Sequence, residues 1–287
     1  MRTLRTLASL VKLEHTVFAL PFAYAGMVLG ATAANVDIDV PLVVWITLAM
    51  VGARTLAMGL NRVIDAEIDA RNPRTAIREL PTGKVTRAQV WLLCAASLLL
   101  LVVATFQLDP ITRVLWPIPV VLFVLYPYTK RFTWLCHLVL GLSIGLAPLG
   151  AWLATGAPGD ELAPYLLWIG IALWIGGFDV IYATADVEFD RANGIQSLPA
   201  RFGIARALAT VKVAHAGTIA AFAGAIILLD LGVAAWVGLA IAAVLLTWEN
   251  AIVSADDLSR IDHAFFTVNS WVGVALGGGL VVAGLLA

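Results

Sequence analysis

The sequence predicts an all-α integral membrane protein, with about nine transmembrane helices in one bundle around a central cavity. Of the 287 residues, 61% are hydrophobic and 13% are charged, whereas soluble domains have about 45–50% apolar and about 25% charged residues. Apolar runs of about 20 residues, the length that a helix needs to cross a bilayer, recur along the chain. The formal net charge of −1 argues against a nucleic-acid partner, and we expect the lipid bilayer to cover the apolar surface.

The predicted spans lie near 16–34, 41–61, 89–107, 114–129, 135–155, 163–183, 207–228, 233–253 and 264–286. Helices are expected because a barrel would show alternating segments of about ten residues. The first run follows Arg2, Arg5 and Lys12 and imitates a secretory signal. A signal has an apolar region of about 7–15 residues, so this longer run predicts a retained span. Cys94 and Cys136 lie in apolar runs and match no metal or disulfide pattern.

Basic residues concentrate on one side of the predicted bundle. Cytoplasmic loops carry an excess of Lys and Arg, and here the loops of the opposite side carry Arg113 alone. The pattern predicts a multi-pass protein of the inner (cytoplasmic) membrane, with its N-terminus inside and its C-terminus outside.

Two acidic segments, 61–69 and 179–190, close the second and sixth predicted spans on the cytoplasmic side. Each contains Asp-x-x-x-Asp-x-x-Asn followed by Leu-Pro, at 65–72 and 80–81 in the first copy and at 186–193 and 198–199 in the second. The copies lie four spans apart and so point the same way. We infer a parallel repeat within a single domain, 1–287, with halves of approximately 1–134 and 135–287.

The spacing of the acids suits a divalent cation. Residues four apart on a helix lie roughly 40° apart around its axis, so Asp65 and Asp69 share one face, and Asp186 and Asp190 share another. Ionisable residues in membrane helices are expensive, which favours a functional interpretation. Mg²⁺ is usually held by carboxylates together with substrate phosphate oxygens. We expect these four aspartates and Asn61 to converge around Mg²⁺; the alternative is that the acids pair with neighbouring arginines as solvated helix ends.

Basic side chains beside the acids predict a phosphate site. Arg74, Arg78 and Lys84 follow the first acidic segment, and arginine grips phosphate oxygens in bidentate fashion. The alternative is that this loop only fixes topology and contacts lipid headgroups. Tyr126 and Lys130 end the fourth span on the same side, where an interfacial tyrosine and a snorkelling lysine are the alternative.

Other polar residues within the spans are expected near the cavity. Arg54 lies two turns before Asn61 on the same face and is a candidate to hold the carboxylate of an acceptor, or else to pair with Glu249. Asp179 lies two turns before Asp186 on nearly the same side. Asn269 either lines the cavity or bonds one helix to another.

These motifs resemble those of the UbiA superfamily of membrane aromatic prenyltransferases, across essentially the whole chain. In that family, NDxxDxxxD and a second DxxxD or DxxxxxxDxxxD motif hold magnesium and the prenyl diphosphate, with YxxxK between them. Arg62 is a departure, because it stands where the commoner pattern has an aspartate and removes one possible ligand. The matching residues are Asn61, Asp65 and Asp69, then Asp179, Asp186 and Asp190, and finally Tyr126 and Lys130.

The resemblance implies Mg²⁺-dependent transfer of a polyprenyl group from polyprenyl diphosphate to an aromatic acid, with release of diphosphate, in menaquinone or ubiquinone biosynthesis. The chain looks most like the branch that acts on dihydroxynaphthoate in the futalosine route to menaquinone, with 4-hydroxybenzoate polyprenyltransferases as the alternative. Tyr182 or Phe178 would then face the allylic cation. Asp65 or Asp190 would take the ring proton.

Two other classes of membrane protein share some of these features. Secondary transporters also combine many helices, an internal repeat and buried charges, but here the acids gather at one face beside a basic loop. A CDP-alcohol phosphotransferase would carry DGxxAR between its acids, and the chain lacks it. The sequence leaves open the acceptor, the prenyl chain length, the oligomeric state and any contact of Lys12 or His15 with the acceptor.

Overall fold

The computed structural model of the protein describes Thr6, Leu10 and residues 16–287, with side chains from residue 20 onward in that range. Arg2, Arg5, Lys12 and His15 lie outside the described residues. Between 16 and 287 the chain forms helices, turns and loops, without a β-strand. The predicted fold class is therefore confirmed for the described part of the chain.

The helices between residues 16 and 287 are α1 (Thr16–Ala34), α2 (Val40–Ile64), α3 (Ala66–Arg71), α4 (Arg87–Phe106), α5 (Pro110–Leu115), α6 (Pro117–Thr129), α7 (Cys136–Ala154), α8 (Leu162–Ala183), α9 (Val187–Ala192), α10 (Leu198–Phe202), α11 (Ile204–Leu228), α12 (Val233–Ile252) and α13 (Asn269–Leu286). Eight segments of the described chain are long and apolar enough to cross a membrane, and α1 adds a shorter apolar stretch from Leu20 to Ala34. These segments correspond to the nine predicted spans.

The fourth span differs most from its prediction. It starts at Pro110 rather than near 114 and is divided into α5 and α6. The carboxylate of Asp109 begins α5 by accepting a hydrogen bond from the Ile111 N–H at 3.0 Å. The division falls at Trp116 because Pro117 has no N–H to continue the helical bonding.

The spans form one closed bundle. Around it, α1, α2, α6, α7, α8, α11, α12 and α13 pack in succession, and α13 returns to α1. Between α7 and α8 the contact is backbone to backbone: a Cβ on Gly141 would lie 2.1 Å from the carbonyl oxygen of Ala172. Small residues allow such approach in membrane bundles, where helices gain little from burying apolar surface against each other.

A cavity of about 810 Å³ runs through the bundle. Its wall includes α2 from Ile46 to Arg62 and α7 from Leu140 to Ala154. At 1.5 Å per residue, the α2 stretch is about 24 Å long. One end is polar and meets the loop after α3, whereas the rest is lined mainly by apolar side chains. The predicted central cavity is thus present, and its polar end lies beside the acidic segments.

Candidate active site

The two acidic segments share one backbone pattern. Asp65 ends α2 with φ −94° and ψ 3°, and Asp186 precedes α9 with φ −107° and ψ 6°. This region of φ/ψ space is sparsely populated and often contains active-site residues. Each aspartate is followed by a six-residue helix that ends at an asparagine, Asn72 or Asn193. The repeated sequence pattern therefore corresponds to a repeated local structure.

Asp65 is buried, with 1% of its surface exposed. Its Oδ2 accepts hydrogen bonds from Asn61 Nδ2 at 2.8 Å and from Lys130 Nζ at 2.6 Å. Burial raises the pKa of Asp65 above its ordinary value, and the charge and hydrogen bond of Lys130 act in the opposite direction. Its Oδ1 is buried and accepts no hydrogen bond from the described residues, although Arg131 Nη2 lies 3.6 Å away. Asp65 thus keeps one oxygen available to a further ligand.

Asp69, one turn further on, pairs with the loop that follows. Arg78 Nη1 donates to both of its carboxylate oxygens at 2.8 Å. Arg62 Nη1 lies 4.0 Å from Asp69 Oδ2, and Arg62 Nε donates to the carbonyl of Leu10 at 3.4 Å. The arginine at the position of the missing aspartate is therefore a second counter-charge for Asp69.

Asp186 is held by the other repeat. Arg74 Nε and Asn72 Nδ2 each donate to its Oδ1 at 2.9 Å, and Arg74 Nη2 contacts its Oδ2. The Arg74 guanidinium also lies 4.4 Å from the ring centroid of Tyr182. The loop after the first acidic segment thereby closes over the second one.

The remaining two acids bond to neutral or imidazole partners. Asp190 Oδ2 accepts from Ser197 Oγ at 2.6 Å. Asp179 Oδ2 lies 2.6 Å from His137 Nδ1, and His137 Nε2 accepts from the Leu198 N–H at 3.3 Å. Since Nε2 accepts, we assign the ring proton to Nδ1, which donates to Asp179. Sequence reasoning missed His137. The sequence did place it in the first turn of a span, on the side of the bundle that carries the acidic segments, and this could have identified it.

The expected convergence of carboxylates around one point is not present. Across Thr6, Leu10 and residues 16–287, no three acidic, histidine or cysteine side chains are close enough to hold a metal ion. Asp65, Asp69 and Asp186 face basic side chains instead, because clustered like charges in a buried site require neutralisation. The alternative of pairing with arginine is thus realised, but the pairs are largely buried rather than solvated.

Most of the predicted binding residues reach the cavity. Its wall includes seven of them: Arg54, Asn61, Arg74, Arg78, Tyr126, Asp179 and Tyr182. The Tyr126 hydroxyl donates to the carbonyl of Ala57 at 3.3 Å. Lys84 is solvent-exposed and is not part of the wall, so the structure gives no support to its predicted role. Asp65, Asp69, Asp186, Asp190 and Lys130 are not among the residues of the wall. Asp69 and Asp186 pair with the wall residues Arg78 and Arg74.

The donor set suits a hard cation that arrives with an anionic ligand. Carboxylate and amide oxygens are the ligands that Mg²⁺ prefers, and Asp65 Oδ1 is a buried oxygen of that kind that accepts no hydrogen bond from the described part of the chain. Arginine and lysine side chains beside the same acids are suited to phosphate oxygens. The residues therefore fit a magnesium-bound diphosphate better than they fit a metal ion alone.

Comparisons with known proteins agree with this chemistry. The model of the UbiA prenyltransferase family matches residues 19–284. A 4-hydroxybenzoate octaprenyltransferase of Vibrio parahaemolyticus is 31% identical over 290 residues, which cover 99% of this chain and 95% of the relative. Another from Xanthomonas oryzae pv. oryzae is 31% identical and covers 84% of this chain and 78% of its own.

Solved structures show the same fold. The apo structure of a UbiA homolog from Aeropyrum pernix K1 has a TM-score of 0.85 and 33% identity, covering 94% of this chain and 98% of its own. A UbiA homolog from Archaeoglobus fulgidus, bound to geranyl diphosphate (GPP) and Mg²⁺, has a TM-score of 0.67 and 16% identity, covering 96% and 99%.

Proposed function

The chain belongs to the UbiA prenyltransferase family, and we propose that it transfers a polyprenyl group from polyprenyl diphosphate to an aromatic acid in quinone biosynthesis, releasing diphosphate. One observation carries the proposal: a long apolar cavity ends at buried acid–base pairs from both repeats. The cavity suits an isoprenoid tail, and the paired charges suit a metal-bound diphosphate. Family membership favours this enzyme over the transporter considered above.

Magnesium is the cofactor that fits the site. Asp65, Asp69, Asp186, Asp190 and Asn61 would hold it, with diphosphate oxygens completing its ligands. When bound, Mg²⁺ neutralises and orients the leaving group. The homolog from Archaeoglobus fulgidus that is bound to a prenyl diphosphate and Mg²⁺ supports this assignment.

Diphosphate binding would exchange the partners of the ion pairs. In the structure, Arg74, Arg78 and Lys130 neutralise Asp186, Asp69 and Asp65. With the metal diphosphate bound, the acids would turn to the cation and the basic groups to phosphate oxygens. The basic groups then stabilise the charge that develops as the allylic C–O bond breaks.

The acceptor would lie between Arg54 and Asp179 on the cavity wall. Arg54 is suited to a carboxylate because its guanidinium forms bidentate hydrogen bonds. The ring carbon bonds to the allylic carbon as the C–O bond to diphosphate breaks, and the ring then loses its proton. Sequence reasoning assigned that proton to Asp65 or Asp190, but neither lines the cavity. Asp179, held by His137, reaches the cavity and is the better base.

A direct assay tests the function. Purified protein is incubated with polyprenyl diphosphate, Mg²⁺ and either 4-hydroxybenzoate or dihydroxynaphthoate. We expect mass spectrometry to detect a prenylated acid, formed together with an equimolar amount of released diphosphate. The relatives named as 4-hydroxybenzoate octaprenyltransferases favour 4-hydroxybenzoate, and competition between the two acceptors decides the branch. Full activity in excess chelator would contradict the metal role, and no product with either acceptor would contradict the function.

The same proposal includes orientation. The basic loops and the polar end of the cavity lie together, which by the positive-inside rule supports an active site and an N-terminus on the cytoplasmic side of the inner membrane. Cysteines introduced at exposed Lys84 and at exposed Pro158 lie in loops at opposite ends of the spans. In inside-out vesicles, an impermeant thiol reagent should label the first and spare the second; the reverse pattern refutes the orientation.

A further inference from the structure

A hydrogen-bonded hub lies beside the cavity, apart from the acidic segments. Asn269, which begins α13, donates from Nδ2 to Glu249 Oε1 at 2.7 Å and to the carbonyl of Ala264 at 3.0 Å. Its Oδ1 accepts from the indole Nε1 of Trp174 at 2.6 Å. Because an indole N–H can only donate, the orientation of the amide is fixed. Glu249 is 0% exposed and Asn269 is 6% exposed, so the hub is shielded from solvent.

The hub joins three elements at one wall of the cavity: α8 through Trp174, α12 through Glu249, and the π-helical turn His263–Val268 through Ala264. Turns of this type are frequent at functional sites. The same turn carries Phe265, whose ring stacks on Tyr182 with a centroid distance of 4.1 Å. The hub therefore fixes the turn that positions Phe265.

Four rings form what we call the aromatic wall: Trp174, Phe178, Tyr182 and Phe265. The first three are four residues apart on α8 and so follow one face of the helix. Centroids are 5.5 Å apart for Trp174 and Phe178, and 5.3 Å apart for Phe178 and Phe265. All four line the cavity. Arg74, which holds Asp186, lies over the Tyr182 end, so the wall starts at the diphosphate end and leads inward.

We propose that Glu249 and Asn269 are positioning residues for prenyl transfer, which hold the aromatic wall against the allylic end of the substrate. The inference rests on the proposed function. Ring faces attract a cation most strongly when the site is desolvated, and they also keep water from the carbocation. The hydrogen bond from its Nε1 to Asn269 restrains the Trp174 ring at its place in the cavity wall.

Packing alone does not account for this carboxyl group. Burying an ionisable side chain among membrane helices is expensive, and such residues are rare and are taken as functional by default. Glu249 Oε2 has no hydrogen-bond partner among the described residues, with His215 Nδ1 4.0 Å away. The productive contact of Glu249 is the Oε1 bond that orients Asn269.

The experiment compares two indole hydrogen bonds on α8. Trp174→Phe removes the bond to Asn269 and keeps an aromatic ring in the cavity. Its matched control is Trp168→Phe, since Trp168 Nε1 donates to the Leu142 carbonyl at 2.8 Å but does not line the cavity. Glu249→Gln keeps an oxygen that accepts from Asn269, whereas Glu249→Leu does not.

Each variant is assayed for kcat, for the KM of prenyl diphosphate, and for the ratio of prenylated acid to prenyl alcohol. The alcohol forms when water bonds to the allylic carbon, diphosphate leaves and the water loses a proton. We expect Trp174→Phe and Glu249→Leu to lower kcat about tenfold and to raise the share of alcohol. KM should change by less than about twofold, because the diphosphate contacts lie elsewhere. Glu249→Gln and Trp168→Phe should resemble wild type.

Wild-type kcat and product ratio in Trp174→Phe would overturn the inference, as would an equal loss in Trp168→Phe. Should Glu249→Leu not fold, the two tryptophan variants and Glu249→Gln still decide the result. If the wild type prenylates an aromatic acid and the variants keep its kcat and product ratio, only this inference is wrong. If the wild type prenylates no aromatic acid, the proposed function is wrong, and so is the inference that rests on it.

Discussion

Arg74 and Asp186 are 112 residues apart in the sequence, yet Arg74 Nε donates to Asp186 Oδ1 at 2.9 Å. The arginine belongs to the loop after the first acidic segment, and the aspartate to the second segment. Their contact makes one site out of the two repeats. The same contact neutralises the charge of Asp186.

We expect Arg74→Met to raise the KM for prenyl diphosphate by roughly tenfold or more, because the proposed bidentate contact with a phosphate group is lost. Steady-state kinetics with varied diphosphate measure this. Arg71→Met is the matched control, since Arg71 is exposed and does not line the cavity. Equal effects of the two substitutions would show that Arg74 acts only through overall charge.

Asp65→Asn and Asp186→Asn should each lower turnover by roughly 100-fold or more, since each removes a carboxylate proposed to bind the metal, together with its charge. Isothermal titration with Mg²⁺ and a non-reactive prenyl diphosphate analogue should show matching losses of affinity. Asp257→Asn changes an exposed acid of the loop after α12 and should leave both unchanged. Normal magnesium-dependent binding in both site variants would refute the proposed ligands.

Lys130→Met should move the acid limb of the pH–rate profile to higher pH. Burial raises the pKa of Asp65, and Lys130 opposes that shift, so removing the lysine raises the pKa further. Metal binding requires the ionised carboxylate, so activity is lost earlier as the pH falls. Lys212→Met, at an exposed position of α11, is the control. An unmoved acid limb in Lys130→Met would contradict the coupling to Asp65.

Arg54→Met should raise the KM for the aromatic acid by roughly tenfold or more while leaving the KM for prenyl diphosphate near its wild-type value. The reason is that Arg54 lines the cavity away from the acidic segments. Kinetics with each substrate varied in turn separate the two effects. If instead the diphosphate KM rises alone, Arg54 belongs to the diphosphate site.

Gly141→Ala should destabilise the fold by about 1–3 kcal/mol, because the new methyl group would lie 2.1 Å from the Ala172 carbonyl oxygen and force α7 from α8. Thermal unfolding in detergent measures the loss. Gly278→Ala is the control, since a Cβ there meets no atom within 4 Å. Equal thermal unfolding midpoints for the two variants would show that α7 can shift away from α8 without loss of stability.

The sequence predicted the individual elements well because their signals are local. Apolar length located the spans, and the repeated Asp-x-x-x-Asp pattern located both acidic segments. It did not predict the arrangement around the acids, since that depends on contacts across the bundle. Nothing in the spacing of Lys130 or Arg78 indicates which aspartate each will neutralise. His137 escaped notice for the same reason: its partners, Asp179 and Leu198, are distant in the chain.

What the sequence determined by itself was the membrane class, the number of spans and the residue types of the site, because hydropathy and helical spacing depend on neighbours in the chain. Tertiary structure decided which charges meet. The folded chain brings Arg78 and Lys130 to Asp69 and Asp65 within the first repeat, and Arg74 across to Asp186 of the second. Buried ion pairs therefore stand where a group of bare carboxylates was expected, because like charges cannot stay together out of water without a partner. The same packing created the hub around Asn269, which joins α8 and α12 to the start of α13. These helices lie far apart in the sequence, so their contacts could not be predicted from it.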